Sequence, residues 1–215
     1  MASSAASAPP DSEAAIFHDD AGDPAEARSC RDLVGKAFAS CPKVRLMQQA
    51  LSALGKSVDT ELVKCVHCPD GTAAAGGYIP ERGQVVLCQQ WVAKQPGEVQ
   101  NTIVHEMVHA YDDARALMDW NNLTQHACTE IRAANLSGDC TARREIDRGQ
   151  LNPLKFGGTG MRCVKRRAQL SVAMHPECPD AAAAAAAVER AWKSCYYDNA
   201  PFDQHARSKL QDPHD

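Results

Sequence analysis

The stretch "NTIVHEMVHAYDD", residues 101–113, sets two histidines four positions apart, with a glutamate directly after the first. Positions four apart lie one turn above each other on a helix, so His105 and His109 can present their rings to a single ion. Glu106 lies about 100° further round and can reach a water on that ion rather than the ion itself. The pattern predicts a metal-binding helix, with an ordinary buried histidine pair as the alternative.

The residues around the two histidines fit a buried helix that serves a catalytic metal. A catalytic zinc commonly has three protein ligands and one open position for water. One extended zinc-protease pattern needs a glycine three residues after the second histidine and a further histidine three residues later. Asp112 and Arg115 occupy those positions, which excludes that subclass. The apolar flanks are Ile103, Val104, Met107, Val108 and Ala110.

Candidates for the third ligand lie in "TQHACTEIRAANLSGDC", residues 124–140. His126 and Glu130 are four apart and share one face of a second predicted helix. Glu130 follows His109 by 21 positions, which suits a site of two histidines and one glutamate built from two packed helices. We favour Glu130 and keep His126 as the alternative. An ion pair between Glu130 and Arg132 is a third possibility.

These residues predict the hydrolysis of a peptide bond. A bound zinc polarises a carbonyl and lowers the pKa of its water, and Glu106 would take that water's proton and pass it to the leaving amine. Asp112 or Asp113 could orient a ligand histidine, although a solvated helix end explains them equally well. The preceding segment, residues 76–89, could offer an edge strand to an extended substrate.

Hydrophobic spacing predicts the surrounding elements. Amphipathic helices are expected over residues 30–41 and 43–55, interrupted by Pro42 and stopped by Gly55. A third helix carries the histidines, and a fourth runs from about Leu123 to Leu136. The last helix follows Asp180, a predicted N-cap, through seven alanines that we interpret as a spacer turn.

A β-hairpin is predicted before the histidine helix, because Tyr78-Ile79 and Val85-Val86-Leu87 flank the turn signal Pro80-Glu81-Arg82-Gly83. The predicted fold class is α+β, a zincin-like metalloprotease in which helices pack on a small antiparallel sheet and disulfides staple the chain. We expect a disordered tail over residues 1–29, where six acids accompany three prolines and one basic residue. The metalloprotease domain would span 30–205, followed by a flexible end, 206–215.

Composition restricts the class of protein. The net charge of −4 argues against general nucleic-acid binding. We find neither a secretory signal nor an Arg-rich transit peptide, and the longest apolar run, residues 181–188, is far below the roughly 20 residues of a membrane span. Any membrane association is therefore expected to be peripheral.

Ten cysteines favour disulfides in an oxidising compartment. Dispersed pairs of the Cys30/Cys41, Cys128/Cys140 and Cys178/Cys195 kind look like staples. Eleven residues on one helix span roughly 16 Å, whereas a disulfide needs α-carbons within about 7 Å. If Cys30 and Cys41 share a helix, each must therefore bridge to a different element. Cys65 and Cys68 form the one C-x-x-C motif, so a disulfide carrier is an alternative function.

Residues 143–167 contain eight basic residues and two acids. A solvated surface explains this composition. The sharper hypothesis is docking on anionic lipid through Lys165, Arg166 and Arg167, because each surface cation can add about 1 kcal/mol there.

Several stretches resemble one protease family. They are "GGYIPERGQVVLCQ" (76–89), "HEMVHAYD" (105–112), "DW" (119–120), "HACTEIRAANLSGDC" (126–140) and "CYYDNAPF" (195–202). Together they resemble the mitochondrial inner-membrane metalloproteases that mature and help assemble a membrane subunit of the ATP synthase. The resemblance runs from about Cys30 to Phe202, and the acidic tail lies outside it.

The resemblance implies a zinc-dependent endopeptidase in the intermembrane space, attached peripherally to the inner membrane. It matches His105 and His109 to the metal ligands and Glu106 to the catalytic glutamate. Its implied partner is the ATP synthase membrane subunit. A non-proteolytic assembly chaperone that retains the protease fold is the alternative function.

Overall fold

A computed structural model describes residues 22–72, 74–150 and 159–202 of the chain. Within them the helices are α1 (Pro24–Ser40), α2 (Pro42–Ala53), α3 (Gln89–Lys94), α4 (Val99–Arg115), α5 (Leu123–Leu136), α6 (Ala142–Asp147), α7 (Thr159–Ala173) and α8 (Ala181–Cys195). The strands are β1 (Val63–Val66), β2 (Gly76–Ile79) and β3 (Gln84–Cys88). This is the expected combination of helices with a small sheet.

The predicted hairpin is present, because β2 and β3 pair in antiparallel fashion with Tyr78 opposite Val85. Gly83 closes the turn between them with a φ of 57°, a left-handed conformation that glycine adopts without steric cost. The expectation of an antiparallel sheet is nevertheless wrong in one respect. Strand β1 pairs in parallel with β3, so the described sheet is mixed, in the order β1-β3-β2.

Two hydrophobic cores meet at α5. The first joins α1, α2, α4 and the sheet, and it includes Ala133 and Leu136 of α5. The second joins α5 to α7 and α8, and it includes Ala127 and Ile131 of α5. The alanines of α8 are more than a spacer, since Ala184 and Ala187 are buried in this second core. Helix α5 is therefore held from both sides, which fixes the position of its polar residues.

The helix boundaries agree with most of the sequence signals. Pro42 opens α2, α5 has the predicted ends, and the Asp180 side chain accepts a hydrogen bond from the Ala183 amide at the start of α8. The tail prediction extends too far, because α1 already begins at Pro24. Asp23 caps it by accepting a hydrogen bond from the Ala25 amide, and proline is well suited to the first helical position. The remaining tail, 1–21, and the end, 203–215, lie outside the described residues.

Four disulfides staple the elements together, as predicted in kind. They are Cys30–Cys65, Cys68–Cys88, Cys128–Cys195 and Cys140–Cys163. None of the three suggested pairs forms, and Cys41 and Cys178 remain thiols. Cys30 indeed bridges to a different element, as the distance along a helix requires. Cys65 and Cys68 form disulfides with Cys30 and Cys88 rather than with each other, which removes the structural basis for a disulfide carrier.

None of the helices in the described ranges combines the length and the apolar character that crossing a membrane requires.

Candidate metal centre

Helix α4 places the two histidines of the opening motif on the same side, facing α5. His109 is buried and His105 is nearly so, with 12% of its side chain exposed. Ile103, Val104 and Met107 are fully buried beside them. The apolar face of α4 therefore anchors the helix in the core, and the histidines face polar side chains of α5.

Helix α5 brings Glu130 to both histidines. Its Oε2 lies 3.5 Å from Nε2 of His105, and its Oε1 lies 3.7 Å from Nε2 of His109. One donor atom from each of these three residues lies within 4.8 Å of the others. His126 comes within 3.7 Å of Glu130 through its Nε2 but is not part of this group. Of the two candidate third ligands, Glu130 is the one whose position completes a three-residue cluster.

Each histidine is held through its other ring nitrogen. Nδ1 of His105 lies 3.2 Å from Oδ2 of Asp139. Nδ1 of His109 lies 2.9 Å from Oγ1 of Thr129, whose hydroxyl donates to Oδ2 of Asp112 at 2.9 Å. Such partners fix the orientation of a ligand ring, so that Nε2 faces the ion.

The sequence identified only part of this outer layer. Asp112 helps to orient His109, as the sequence suggests, but it does so through the Thr129 hydroxyl rather than by a direct hydrogen bond. None of the hydrogen bonds in the described part of the chain joins Asp113 to either ring; it accepts instead from Tyr78 and Trp120. Asp139 and Thr129 were missed. A faint signal for Asp139 was its place directly after Gly138, where the chain turns back at the end of α5.

Arg132 does not compensate the charge of Glu130, so that alternative is wrong. Its guanidinium is fully buried and pairs instead with Asp112 and Asp198. Among the ion pairs of the described residues, Glu130 pairs with histidines only: His105, His109 and His126. A buried carboxylate among imidazoles is an arrangement that a divalent cation stabilises.

The pKa values of the two histidines shift in opposite directions. Burial alone would lower the pKa of His105, but its hydrogen bonds to Asp139 and Glu130 outweigh burial and raise that pKa to about 10. Burial lowers the pKa of His109 to about 3, against the attraction of Glu130. Burial would raise the pKa of Glu130, but the two histidines hold it well below its usual range. A metal ion would therefore displace a proton from His105 when it binds.

Glu106 is buried beside the cluster and contacts the sheet. The backbone amide of Tyr78 on β2 donates a hydrogen bond to its carboxylate. Burial raises the pKa of Glu106 to about 7, although the neighbouring His105 opposes this shift. A divalent ion next to Glu106 would favour its ionised form, in which the carboxylate can accept a proton.

An aromatic wall borders the site. The ring centroid of Trp120 lies 6.3 Å from that of His109, 6.2 Å from that of His126 and 5.8 Å from that of Tyr78. Asp113 fixes the wall, accepting from the Trp120 indole at 3.0 Å and from the Tyr78 hydroxyl at 2.8 Å. The loop after α4 is thereby tied to strand β2.

The basic residues proposed for lipid docking have partners within the protein. Lys165 pairs with Glu189, Arg166 with Glu145, and Arg167 with Asp139. Residues 151–158 of the same basic stretch lie outside the described residues. All three cations are therefore neutralised by carboxylates of the protein itself, which weakens the hypothesis that they bind anionic lipid.

The donor set fits a catalytic metal. Two imidazole nitrogens and one carboxylate oxygen, converging from two packed helices, match the ligand chemistry of many catalytic zinc sites. The buried carboxyl group of Glu106 stands next to them. The arrangement can hold a divalent ion and exchange a proton with a molecule bound at that ion.

Comparison with known proteins agrees with this chemistry. The family model of the peptidase M76 family matches residues 28–203. The chain is similar to the mitochondrial inner membrane protease ATP23 of Yarrowia lipolytica, with 41% identity over 179 residues, 83% of this chain and 69% of the relative. The protein of the same name from Aspergillus niger is 40% identical over 182 residues, 84% of this chain and 74% of the relative. The Meyerozyma guilliermondii protein is 36% identical over 181 residues, covering 84% and 72%.

No solved structure matches the fold. The family match covers both helices of the cluster, the hairpin and all four disulfides. The chain belongs to the peptidase M76 family.

Proposed function

We propose that this chain is a zinc-dependent endopeptidase in which His105, His109 and Glu130 hold the metal and Glu106 transfers the proton. The observation that carries the proposal is the convergence of three donor atoms within 4.8 Å, beside a buried glutamate. The helix-plus-sheet arrangement supports a zincin-like fold. The family membership supports peptide-bond hydrolysis independently of this geometry.

Zinc bound at this site would polarise the scissile carbonyl and lower the pKa of a water molecule. Glu106 accepts a proton from the attacking water and returns it to the leaving amine, so that it ends the cycle as it began. The Tyr78 amide holds the Glu106 carboxylate in place. Thr129 keeps the ring of His109 from turning away from the ion.

The substrate is a protein, and we propose that an extended segment of it binds along β2. Within the described sheet, β2 pairs only with β3, and Tyr78 joins it directly to Glu106. An added strand would run past Glu106 and the wall formed by Trp120 and Tyr78. A peptide inhibitor should therefore contact β2 in a complex structure. Binding away from residues 76–89 would disprove this part.

We further propose that the enzyme works at the mitochondrial inner membrane, peripherally attached on the intermembrane-space side. Its relatives are named mitochondrial inner membrane proteases. Four disulfides suit an oxidising compartment. The proposed substrate is the precursor of the ATP synthase membrane subunit, whose assembly the enzyme would also assist.

The deciding experiment compares cleavage of that precursor by the oxidised wild-type protein and by the Glu106→Gln variant. Metal content is measured in both by mass spectrometry. We expect Glu106→Gln to keep its zinc and to lose about 10²- to 10⁴-fold in rate, because it lacks the proton-transfer group. Glu189→Gln, which changes an exposed glutamate, should cleave like the wild type.

A result in which both proteins bind zinc and the subunit but neither cleaves it would contradict the protease function and favour an assembly chaperone. Absence of zinc from the wild-type protein would contradict the metal site itself. Glu130→Gln separates these cases further, since loss of the carboxylate should empty the site while the disulfide-bonded fold is retained.

A further inference from the structure

We propose that Asp139 is a positioning residue for His105, and that Arg167 and the loop at the end of α5 hold Asp139 in place for this purpose. The inference rests on the metal site proposed above. It adds a residue from outside both ligand-bearing helices.

The contact between the two residues is direct. Nδ1 of His105 donates to Oδ2 of Asp139 at 3.2 Å, while Nε2 of the same ring faces Oε2 of Glu130 at 3.5 Å. A ring bound at Nδ1 by a carboxylate cannot rotate without breaking that bond, and its Nε2 stays directed at the ion. Partners of this kind typically raise metal affinity by about 10- to 100-fold.

Hydrogen bonds restrain both the side chain and the backbone of Asp139. Its side chain is 9% exposed, and the Arg167 guanidinium donates to the same Oδ2 at 3.2 Å. Its amide donates to the Ser137 hydroxyl at 3.2 Å, and its carbonyl accepts from Arg148 at 2.6 Å. Because backbone and carboxylate are both restrained, Asp139 can impose an orientation on His105 rather than follow it.

The neighbouring residues explain how the loop reaches this position. Gly138 has a φ of 99°, which L side chains rarely adopt, and it turns the chain back immediately after α5. Cys140, on the other side, is bonded to Cys163 of α7. Arg167 stands one turn further along α7. The disulfide and the ion pair thus connect α7 to the loop that restrains His105.

The two histidines are held unequally. His109 meets a neutral hydroxyl, and the carboxylate of Asp112 acts only through it. His105 meets a carboxylate without an intermediary. Loss of Asp139 should therefore release His105 selectively and leave the His109 partners unchanged.

The chain offers a close control in Glu145. This carboxylate is also buried and also pairs with an arginine of α7, Arg166, through two contacts of 2.8 Å. None of the described hydrogen bonds joins Glu145 to either ligand histidine. Glu145 also lies 3.4 Å from Arg148, which donates to the Asp139 carbonyl. Glu145→Gln keeps an amide oxygen as an acceptor for Arg148, so it removes the charge of a comparable buried ion pair and leaves the contacts of both ligand histidines unchanged.

The test measures zinc affinity of the full-length oxidised protein by competition with a chromophoric chelator. We expect Asp139→Ala to weaken zinc binding about 10- to 100-fold. Asp139→Asn retains an oxygen acceptor for Nδ1 and should lose less. Glu145→Gln should bind zinc like the wild type. Thermal unfolding of the metal-free proteins checks that each variant is folded.

A second measurement reports on the ring directly. In zinc-loaded protein labelled with ¹⁵N-histidine, the His105 Nδ1–H should be visible and protected from exchange. That signal should be lost in Asp139→Ala and kept in Glu145→Gln. A purely structural role for Asp139 would lower unfolding temperature without changing this resonance.

Wild-type affinity in folded Asp139→Ala and Asp139→Asn would overturn the positioning role while leaving the metal site intact. An equal loss in Glu145→Gln would also overturn it, because general destabilisation would then be the cause. A wild-type protein that binds no zinc would overturn the proposed function, and this inference with it.

Discussion

Arg132 on α5 donates from Nε to both carboxylate oxygens of Asp112 on α4, each at 3.0 Å. The guanidinium is fully buried and the carboxylate nearly so. This pair joins the two helices that carry the proposed ligands, and the same carboxylate supports Thr129 behind His109. One ion pair therefore serves both the packing of α4 against α5 and the orientation of a ligand ring.

Asp112→Asn should destabilise the fold by about 3 kcal/mol, because it leaves a buried guanidinium without its buried carboxylate partner. The expected cost is at the lower end for a broken buried pair, since Asp198 still faces Arg132. Urea unfolding measures the change. The control is Glu61→Ala, which breaks the exposed pair with Lys64 and should cost less than about 1 kcal/mol. Similar costs for both variants would contradict the structural role of the buried pair.

Asp198 should contribute stability that disappears in acid. Burial alone would raise its pKa, but the hydrogen bond from Arg115 and the charge of Arg132 hold the pKa below its ordinary value of 3.8. A carboxyl with a lower pKa in the folded state stabilises the protein above its unfolded pKa, and this contribution is lost as pH falls through the folded value. The wild type should therefore exceed Asp198→Asn in stability at pH 6, and the difference should shrink below about pH 3.8.

Denaturant midpoints of the two proteins, measured between pH 6 and pH 2, give this difference directly. Other acids of the protein titrate in the same range, but they are common to both proteins and cancel in the comparison. A difference that stays constant down to pH 2 would show that the ionised form of Asp198 is not what stabilises the fold.

The oxidised protein should contain two thiols, Cys41 and Cys178. In denaturant without reductant, a thiol reagent should react with two groups per chain. In the native protein the half-buried Cys178 should react first, because Cys41 is buried in the first core. Cys178→Ser should abolish this early phase and leave one thiol after denaturation. A count of zero in the wild type would mean a fifth disulfide, and a count above two would mean that one of the four is not formed.

The sequence predicted the elements whose signals are local. The apolar spacing of α4 and α5 and the turn at Pro80–Gly83 are each contained within a short window. Strand β1 was missed because it has only four residues, and its partner β3 begins 21 positions later. Helix α7 was missed because four basic residues interrupt its apolar spacing, although a narrow stripe including Cys163 and Val172 is buried.

In the candidate site, too, some residues were predictable from local spacing and others were not. Spacing along α4 was enough to select His105 and His109, and spacing along α5 selected the face shared by His126 and Glu130. Choosing between those two requires the packing of α4 against α5, which no local pattern contains. Asp139 reaches His105 across 34 positions of the chain through a loop, a contact that only the folded structure brings about.

Trp120 should report metal binding through its fluorescence. Its ring centroid lies 6.3 Å from that of His109, and Asp113 holds the indole in that position. Co²⁺ at the proposed site would quench a fluorophore at such short range far more strongly than a distant one. Titration of the metal-free protein with Co²⁺ should therefore quench the emission, and Trp120→Phe should lose most of that effect.

Trp192→Phe is the matched control, because Trp192 stacks on Tyr196 and packs against the second core. This variant should keep the Co²⁺-dependent quenching of the wild type. If instead Trp192→Phe loses the response and Trp120→Phe keeps it, the ion binds elsewhere, and the cluster of His105, His109 and Glu130 is not the metal site. Quenching that depends on Trp120 and vanishes in Glu130→Gln would show that the ion binds next to the aromatic wall and that Glu130 is one of its ligands.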